Sequence, residues 1–258
     1  MKETKILCWN VNGIRAAQRH GLLEWLYRES MDILCLQETK AHPEQLDRDL
    51  REPYGYHAHW NYPERKGYSG VATFTREKPL RFQNDFGVQD LDIEGRVIIS
   101  DYLQFILFNV YFPNGQKGES RLKYKMDFYD TFLDFVEPLR QKGEKLIICG
   151  DFNTAHKEID LARPKENKNI SGFLPIERAW MDKFVTHGYI DTFRHFNKEP
   201  NQYTWWDMKS RARDRNVGWR IDYFFVTENL LGSVSKAFIM PEVSGSDHCP
   251  IGIILRTP

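Results

Sequence analysis

The chain has 258 residues, 41% of them hydrophobic, and its 36 basic residues balance 36 acidic ones. This length and composition predict a soluble globular protein, organised as one domain over residues 1–258 with ample chain for a core. No apolar run approaches the roughly 20 residues of a membrane span, so we expect no membrane partner. Charged residues at the start precede only four apolar ones, which predicts no signal peptide and a cytoplasmic location.

The balanced charge argues against nonspecific binding to polyanions, but it does not exclude nucleic acid, because distribution matters more than the sum. Residues 203–220 hold five basic side chains against two acidic ones. Acidic residues collect elsewhere, at residues 85–94 and 127–137. We therefore expect a surface on which charge is segregated.

Cysteine usage indicates a reducing compartment. Cys8, Cys35, Cys149 and Cys249 lie in or beside apolar runs and show no C-x-x-C spacing. Buried, reduced thiols fit this pattern better than disulfides do.

Short apolar runs and turn residues predict the elements of the first half. Strands are predicted at residues 5–9, 32–37, 56–60, 71–75, 96–101 and 105–111. A helix over 16–29, interrupted at Gly21, follows the first strand, and Pro43 opens a short helix. Apolar residues at 4-3-4-3 spacing predict a long helix over 121–136 that stops at Pro138.

The central stretch, residues 145–162, has the sequence KLIICGDFNTAHKEIDLA. Its apolar run predicts a strand buried on both faces, which breaks at Gly150 and delivers Asp151 and Asn153 to one face at the strand's carboxyl end. An acid that can handle a proton and an amide that can donate to an oxyanion are groups that hydrolysis needs. An Asx turn that caps the next helix would explain the same spacing without any chemistry.

The second half continues with a long basic loop over residues 162–173 and a helix over 175–186 that begins at a proline. Further strands are predicted at residues 188–193, 221–226 and 250–255. Many strands follow one another directly, which favours two packed sheets covered by helices over a simple parallel sheet. An apolar run followed by Asn occurs at both Asn10 and Asn153 and hints at two similar halves.

Polar side chains recur at one kind of place, the carboxyl end of an apolar strand. Strand ends are followed by Asn10, Asn12, Glu38, Tyr111, Asn114, Asp151 and Asn153. Asp222 lies inside the segment RIDYF, and Asp247 and His248 precede the last strand. Carboxylate and amide oxygens with few sulfur or histidine ligands suit a hard cation such as Mg²⁺, and His248 titrates near neutrality and could face a phosphate. Singly, Glu38 could cap a helix and Tyr111 could be a strand aromatic. The repeated coincidence favours one catalytic site.

Six segments make this pattern specific. They are WNVNG, LQETK, VYFPNG, GDFNTAHKEIDLA, NVGWRIDYFFV and GSDHCPI, in that order between residues 5 and 255. Together they resemble the motif set of the exonuclease III family of abasic-site endonucleases, within the endonuclease/exonuclease/phosphatase superfamily. The resemblance implies an α/β fold, a four-layer sandwich like that of DNase I in which two packed mixed β-sheets are flanked by helices. It also implies a Mg²⁺-dependent phosphodiesterase, with Mn²⁺ as a substitute, that acts on damaged DNA.

The resemblance also implies roles for individual residues. Glu38 resembles the principal metal carboxylate, with Asn10 and Asp247 near the ion. Asp151 resembles the group that orients and deprotonates the attacking water, and Asn153 the group that holds that water and the transition-state oxygens. One ion or two are both compatible with this set, and with a second ion Asp151 and Asn153 would be ligands as well.

Further positions match the family's phosphate contacts. His248, paired with Asp222, resembles the group that engages the scissile phosphate. Tyr111 and Asn114 are similar to the phosphate and leaving-group contacts. Phosphoryl transfer needs in-line positioning and charge neutralisation, which an ion, amides and a histidine supply.

Other positions match the family's substrate pocket and its DNA-gripping loops. Trp205, Trp219 and Ile221 match the wall of the pocket for a flipped abasic sugar, although ordinary core packing would also explain the two tryptophans. The loop positions are Arg163, Asn167, Lys168, Lys209 and Arg211.

Two residues depart from the family's pattern. Asn12 stands where some members carry Asp, so no metal role is carried over to it. Lys209 occupies a loop position that is often apolar, so a longer, charged side chain would meet the lesion there.

Three hypotheses follow. The leading one is that a monomer hydrolyses double-stranded DNA 5′ to abasic sites and leaves a 3′-hydroxyl. It includes 3′–5′ exonuclease activity, trimming of damaged 3′ ends and nicking at some damaged or deaminated nucleotides. The second keeps the fold and changes the substrate to RNA or a phosphoinositide, but the aromatic and basic segment at residues 203–220 favours damaged DNA. The third is a catalytically inactive DNA-binding module, which the intact set of catalytic residues disfavours.

Overall fold

The computed structural model describes residues 2–257, whose strands form two six-stranded sheets. The strands are β1 (Lys2–Asn10), β2 (Ile33–Gln37), β3 (His57–Asn61), β4 (Val71–Thr75), β5 (Arg81–Gln83), β6 (Val97–Asp101), β7 (Ile106–Tyr111), β8 (Leu146–Asp151), β9 (Tyr189–Asp191), β10 (Asp222–Thr227), β11 (Val234–Ile239) and β12 (Ile251–Thr257). The helices are α1 (Ile14–Arg19), α2 (Leu22–Glu29), α3 (Arg48–Arg51), α4 (Gln89–Asp92), α5 (Glu119–Gln141), α6 (Pro164–Asn167), α7 (Pro175–Thr186), α8 (Thr192–Phe196) and α9 (Glu228–Leu231). Short 3₁₀ turns lie at Pro43–Gln45, Glu158–Asp160 and Ala212–Arg215.

The first sheet has the strand order β11-β12-β1-β2-β4-β3. Its central strands β1 and β2 are parallel, and the other neighbours are antiparallel. The last paired residues of the parallel strands are Asn10 and Gln37. Because parallel strands end at the same edge of a sheet, Asn10 and the following Glu38 come together there.

The second sheet has the order β5-β6-β7-β8-β10-β9, with β7 and β8 parallel. Tyr111 lies opposite Asp151 at the carboxyl ends of this pair. β10 runs antiparallel to β8, so Asp222 at its amino end also lies opposite Asp151. A Cβ atom on Gly150 would lie 1.7 Å from the carbonyl oxygen of Val110, so only glycine allows this close approach of β7 and β8.

The apolar runs of the central strands are buried on both faces. Ile6 and Cys8 of β1 pack against Cys149 of β8 between the sheets, whereas Leu7 and Trp9 pack outward under α2. On the second sheet, the outward face lies under α5 and α7. The thiols of all four cysteines are buried and free. These layers confirm the predicted four-layer sandwich, and burial on both faces explains why the strands lack an alternating pattern.

Of the three long predicted helices, α7 has the predicted bounds 175–186 and the other two differ. The helix predicted over residues 16–29 begins earlier, at Ile14, and the predicted interruption at Gly21, where φ is 87°, divides it into α1 and α2. The prediction that Pro138 stops the next helix is wrong, because α5 continues through it to Gln141. Pro138 is exposed, so water can bond the carbonyl that loses its partner, and an ion pair of 2.6 Å between Glu137 and Arg140 supports the last turn. Within residues 2–257, no helix is long and apolar enough to cross a membrane.

Several short elements also differ from prediction. The strand predicted over residues 188–193 is only Tyr189–Asp191, because Asp191 caps α8 by accepting a hydrogen bond from the backbone of Arg194 at 3.1 Å. β8 continues past Gly150 to Asp151. The elements β5, α4 and α6 are three or four residues long and mostly polar, so no apolar period predicts them.

Candidate active site

A cavity of about 510 Å³ opens at the edge where both parallel strand pairs end. The sequence-predicted residues that line it are Glu38, Tyr111, Asn114, Asp151, Asn153, Arg163, Asn167, Trp205, Trp219, Ile221, Asp247 and His248. Asn10 and Asp222 are buried behind this lining. Lys168, Lys209 and Arg211 lie outside it, on the exposed surface. The structure thus brings most of the predicted site together.

Two carboxylates share one amide at the floor of the cavity. The Nδ2 of Asn10 donates to Glu38 Oε1 and to Asp151 Oδ2, each at 2.9 Å. The Oδ1 of Asn10 accepts from the backbone nitrogen of Asn12 at 2.9 Å. The amide nitrogen therefore bridges carboxylates from the two sheets, and its oxygen is turned away from them.

The D-x-N segment forms an Asx turn and still delivers both side chains to the cavity. Asp151 Oδ1 accepts from the backbone nitrogen of Asn153 at 2.7 Å, and Asn153 adopts a left-handed φ of 52°. Asn153 Nδ2 donates to the carbonyl of Phe112 at 2.9 Å, and its Oδ1 accepts from Asn114 at 3.0 Å. The side-chain amide of Asn153 is therefore held at both ends.

His248 lies among carboxylates. Its Nδ1 is 2.8 Å from Asp222 Oδ2, which also accepts from the hydroxyl of Thr204 at 2.5 Å. Its Nε2 is 3.8 Å from Asp151 Oδ2. Since Asp222 holds one ring nitrogen, the other is directed to the cavity side of the ring.

These groups change each other's protonation. Burial opposes charge on His248, but Asp222 and then Asp151 outweigh it, so the pKa of His248 is raised. Burial raises the pKa of Asp151, against the attraction of the His248 charge. Burial also opposes ionisation of Glu38, but the Lys40 ammonium at 2.7 Å prevails and the pKa of Glu38 lies below its ordinary value. The site combines a cationic imidazole, an ionised carboxylate and a carboxyl group that binds a proton readily.

The residues present fit a hard metal ion. Atoms of Glu38, Asp151 and His248 lie within 4.8 Å of one another, and since His248 is cationic, the two carboxylates are the groups that could bind an ion. Oxygen donors of this kind suit Mg²⁺ or Mn²⁺. Asn10 contributes hydrogen bonds to both carboxylates here, and its role as a metal neighbour stays a prediction.

Asp247 has hydrogen bonds on both carboxylate oxygens. Oδ1 accepts from Asn12 Nδ2 at 2.9 Å, and Oδ2 accepts from the indole nitrogen of Trp205 at 3.0 Å. Burial opposes ionisation, but the His248 charge and these donors hold the pKa of Asp247 below its ordinary value. Asp247 therefore joins the loop after β1 to the aromatic wall of the cavity, and its place near an ion stays a prediction.

Tyr111 is fixed by a buried arginine. The guanidinium of Arg96 lies 4.5 Å from the centre of the Tyr111 ring and donates to the Tyr111 carbonyl at 2.9 Å. Burial raises the pKa of the Tyr111 phenol well above its ordinary value, and the charge of Glu38 adds to this effect. The phenol therefore remains a hydrogen-bond donor at neutral pH.

Apolar side chains form one wall of the cavity. The rings of Trp205 and Trp219 meet edge to face with centres 6.3 Å apart, and they pack with Ile221 on Leu161 and Phe173. The two tryptophans are only half-buried and line the cavity. Trp205 and Trp219 therefore pack against the core and also line the cavity, although the sequence left these two roles as alternatives.

The predicted DNA-gripping residues lie on two segments near the cavity. Arg163 precedes α6, Asn167 ends it and Lys168 follows it. Lys209 and Arg211 lie just before the 3₁₀ turn at Ala212–Arg215, and Arg211 adopts a φ of 46°. Arg163 and Asn167 line the cavity. The side chains of Lys168, Lys209 and Arg211 are exposed.

Further residues, which the sequence did not predict, hold the site from behind. These are Lys40 beside Glu38, Thr204 beside Asp222, Arg96 beside Tyr111, and the pair Lys125 and Glu177 behind Asn153. Lys40 lies in the motif LQETK and Lys125 lies on the apolar stripe of α5, so both left a signal. Thr204 and Arg96 act across large sequence separations, which a local pattern does not reveal.

Comparison with known proteins places the chain in a family. The Endonuclease/Exonuclease/phosphatase family matches residues 7–248. An exodeoxyribonuclease from Bacillus subtilis is 44% identical over 98% of this chain and 99% of its own length. A DNA-(apurinic or apyrimidinic site) endonuclease from Dictyostelium discoideum is 40% identical over 98% of this chain and 71% of its own length. A solved structure of the 3′ phosphatase NExo from Neisseria, bound to a product DNA hairpin, matches with a TM-score of 0.90 and 26% identity, over 98% of this chain and 100% of its own. The chain belongs to the endonuclease/exonuclease/phosphatase family, as its motifs predict.

Proposed function

We propose that the protein is a metal-dependent DNA-repair phosphodiesterase that hydrolyses the backbone 5′ to abasic sites and leaves a 3′-hydroxyl. The observation that carries this proposal is that Glu38, Asp151 and His248 share one cavity with the aromatic wall of Trp205 and Trp219. A phosphodiester held by the polar groups would place its neighbouring sugar against that wall. The activities named for the relatives, exodeoxyribonuclease and apurinic or apyrimidinic endonuclease, support the same reaction class.

The proposed metal is Mg²⁺, with Mn²⁺ as a substitute. Glu38 would be its principal carboxylate, with Asn10 and Asp247 nearby, and Asp151 and Asn153 would be ligands as well if a second ion binds. The ion would supply charge neutralisation at the phosphate. The oxygen-rich donor set and the short separation of its ligand atoms support this assignment.

Asp151 and Asn153 would act on the attacking water. Asp151 would orient the water and accept its proton, and its raised pKa supports a base that works near neutral pH. Asn153 would hold the water and contact the transition-state oxygens. Its amide is held in advance by Phe112 and Asn114, and a donor that needs no reorganisation stabilises developing charge best.

His248 would donate from Nε2 to a phosphate oxygen, with Asp222 holding Nδ1. The raised pKa of His248 supports a cation at neutral pH. Tyr111 and Asn114 would contact the phosphate and the leaving oxygen, and the raised pKa of Tyr111 keeps its phenol proton available for donation.

The apolar wall would select the lesion. An abasic sugar is thin and unstacked, so flipping it out of the duplex costs less free energy than flipping an intact nucleotide. Trp205, Trp219 and Ile221 would accept the bare sugar and sterically reject one that carries a base. The half-buried tryptophans, exposed on their cavity side, support this role.

Polar residues around the cavity would grip double-stranded DNA. They are Arg163, Asn167, Lys168, Lys209 and Arg211. Contacts of this kind to phosphates fix the register of the duplex and weaken as salt concentration rises.

The same groups would process 3′ ends. A damaged 3′ end presents a phosphate ester next to a sugar that lacks a paired neighbour, and the NExo relative is named a 3′ phosphatase. We therefore include 3′–5′ exonuclease activity, trimming of damaged 3′ ends and nicking at some damaged or deaminated nucleotides. We also propose that the protein acts as a single-domain monomer in the cytoplasm, where its buried free thiols would stay reduced.

One substrate panel tests the proposal. Duplexes with an abasic site, a uracil, no lesion or a 3′ phosphate are incubated with Mg²⁺ or with EDTA, beside RNA and a phosphoinositide. We expect cleavage at the abasic site and removal of the 3′ block only with Mg²⁺. Glu38→Ala should need far more Mg²⁺, because a hard-ion site loses affinity with its main carboxylate, whereas the exposed Glu144→Ala should match the parent.

Each other outcome of the panel rejects a part of the proposal. Equal cleavage of intact and abasic duplexes would reject selection by the apolar wall. Cleavage of RNA or the phosphoinositide in preference to DNA would favour the second substrate class. DNA binding without cleavage would favour an inactive binding module.

A further inference from the structure

Lys125 of α5 and Glu177 of α7 form an ion pair with no exposed side-chain surface. Lys125 Nζ is 2.6 Å from Glu177 Oε1, and the side chains are each 0% exposed. Removal of two charges from water is unfavourable, and an apolar pair of similar volume would often pack as well. The remaining contacts of the pair therefore indicate what it does.

The ammonium group of Lys125 holds the backbone behind the catalytic amide. Besides Glu177, it donates to the carbonyl of Asn153 and to the hydroxyl of Thr154, each at 2.8 Å. These three partners use all three of its protons. Asn153 has a left-handed φ of 52°, a conformation that persists only when neighbouring groups hold it.

The carboxylate of Glu177 holds the loop beside the aromatic wall. Its Oε1 accepts from Ser171 Oγ at 2.7 Å as well as from Lys125. Its Oε2 accepts from the backbone nitrogens of Gly172 at 2.6 Å and Leu174 at 2.9 Å. Both oxygens therefore face donors only.

Gly172 fills the space between the wall and the catalytic loop. Its φ is 100°, and a Cβ atom there would lie 3.1 Å from the Trp219 ring and 3.3 Å from the carbonyl oxygen of Asn153. The carbonyl of Gly172 accepts from the backbone nitrogen of Ala155 at 2.8 Å. A shift of Gly172 would therefore reach both Trp219 and Asn153.

We infer that the buried pair of Lys125 and Glu177 positions the active site, by setting the catalytic loop at Asn153 and the wall at Trp219 relative to each other. This role presupposes the phosphodiesterase proposed above. Neither residue lines the cavity, so each acts through other groups. Loss of either charge should lower the rate of the chemical step while DNA binding is retained.

Glu177→Gln is the sharper single variant. An amide in either orientation directs its NH₂ group at two donors, which are either Gly172 and Leu174 or Lys125 and Ser171. We expect the single-turnover rate on an abasic duplex to fall on the order of 10²-fold, the effect of a displacement of about 1 Å, with little change in KM. Faster hydrogen exchange at Gly172 and Leu174 should accompany it.

The double variant Lys125→Met with Glu177→Gln separates stability from positioning. With the ammonium gone, the glutamine oxygen can accept from Gly172 and Leu174 while its NH₂ group faces the Ser171 hydroxyl. Thermal stability should therefore recover relative to Glu177→Gln alone. The rate should stay low, because Lys125→Met removes the ammonium that donates to the carbonyl of Asn153.

Leu133→Ala is the matched control, since it removes a buried apolar side chain of α5 without touching the ion pair. It should lower the melting temperature yet retain the parent rate where the protein is folded. The inference would be overturned if Leu133→Ala and Lys125→Met, compared at the same loss of melting temperature, lost equal amounts of cleavage rate. A rate that recovers together with stability in the double variant would also overturn it.

Hydrogen exchange keeps this inference separate from the proposed function. If the parent does not cleave abasic DNA, the proposed function is wrong, yet exchange at Gly172 still reports on the loop. Faster exchange in Glu177→Gln than in Leu133→Ala would support the positioning role. Equal exchange in the two variants would reject it.

Discussion

His248 is the residue whose surroundings constrain its chemistry most. One ring nitrogen is 2.8 Å from Asp222, the other is 3.8 Å from Asp151, and Asp247 precedes it in the chain. Three carboxylates around a buried imidazole stabilise its cationic form. A cation fixed in this way suits a phosphate that gains charge during hydrolysis.

Asp151→Asn and His248→Asn should each lower single-turnover cleavage of an abasic duplex by roughly 10²-fold or more. Both changes keep the approximate shape and remove a proton-transfer or charge function, so DNA binding should survive. Rapid-quench kinetics beside equilibrium binding measure the two effects. The exposed His195→Asn should match the parent in both.

Asp222→Asn should reproduce the loss seen in His248→Asn, and the double variant should lose less than the product of the two single effects. Residues that act as one unit are not additive. Losses that multiply would contradict the pairing of Asp222 with His248. If the variants lost DNA binding but kept the cleavage rate, neither Asp222 nor His248 would take part in the chemical step.

Trp219→Ala should reduce the preference for abasic over intact DNA. The ring forms part of the wall that would reject an attached base, and its removal leaves room for one. Cleavage rates on the two duplexes, measured side by side, give the preference directly. Thermal unfolding of the same variant shows how far lost packing contributes.

Trp60→Ala provides the comparison, because Trp60 is a half-buried tryptophan of β3 outside the cavity. It should lower stability and leave the substrate preference unchanged. If Trp219→Ala is likewise destabilised with unchanged preference, the wall is ordinary core and does not select the lesion.

At the scale of elements, the polar residues at the ends of the two parallel strand pairs were predictable. The strands ending at Asn10, before Glu38, at Tyr111 and at Asp151 each carry a local apolar run followed by a polar residue. Parallel neighbours then bring those ends to one edge. This local signal accounts for the carboxylate centre.

Other parts of the site depend on pairings that local patterns do not reveal. Asp222 begins β10, and His248 precedes β12, the predicted last strand; the antiparallel direction of both strands brings these residues to the same edge. Likewise, α8 replaces part of a predicted strand because the side chain of Asp191 caps it. The resemblance to the family's motifs identified Asp222 and His248, which the spacing of apolar residues did not.

Asp160 joins its 3₁₀ turn to α8 and to the segment before β10, and its charge should make the protein sensitive to acid. It accepts hydrogen bonds from Arg220 at 2.8 Å and Arg194 at 2.8 Å. Burial opposes its ionisation, but the two guanidinium groups lower the pKa of Asp160 from 3.8 to about 2. Because the pKa of Asp160 is lower in the folded than in the unfolded protein, its interactions with the two arginines stabilise the fold at neutral pH. This stability is lost as pH falls through about 4 to 2.

The fall of the Asp160 pKa from 3.8 to about 2 corresponds to a linked stability of about 2 kcal/mol. Asp160→Asn should therefore be less stable at neutral pH and lose less stability than the parent on acidification. Urea unfolding from about pH 6 to about pH 2.5 measures the difference. The exposed Asp134→Asn should follow the parent curve. An Asp160→Asn curve parallel to that of the parent would contradict the role given to the two arginines.

At the scale of the whole molecule, the two sheets repeat one arrangement. The orders β11-β12-β1-β2-β4-β3 and β5-β6-β7-β8-β10-β9 each place a parallel pair at the centre between antiparallel neighbours. The similar halves that Asn10 and Asn153 hint at are thus present in the sheet order. The cavity lies where the two central pairs end together, so packing of the sheets assembles the site.

Direct hydrolysis at the abasic site is the central claim, and isotope transfer tests it most directly. An abasic duplex is cleaved by the parent protein in heavy-oxygen water with Mg²⁺, under single-turnover conditions, and the fragments are weighed by mass spectrometry. Attack of water at phosphorus predicts heavy oxygen in the 5′-phosphate of the abasic fragment and a 3′-hydroxyl on the other fragment, with no product in EDTA. An unlabelled phosphate with an unsaturated sugar at the 3′ end, or cleavage that persists in EDTA, would contradict it.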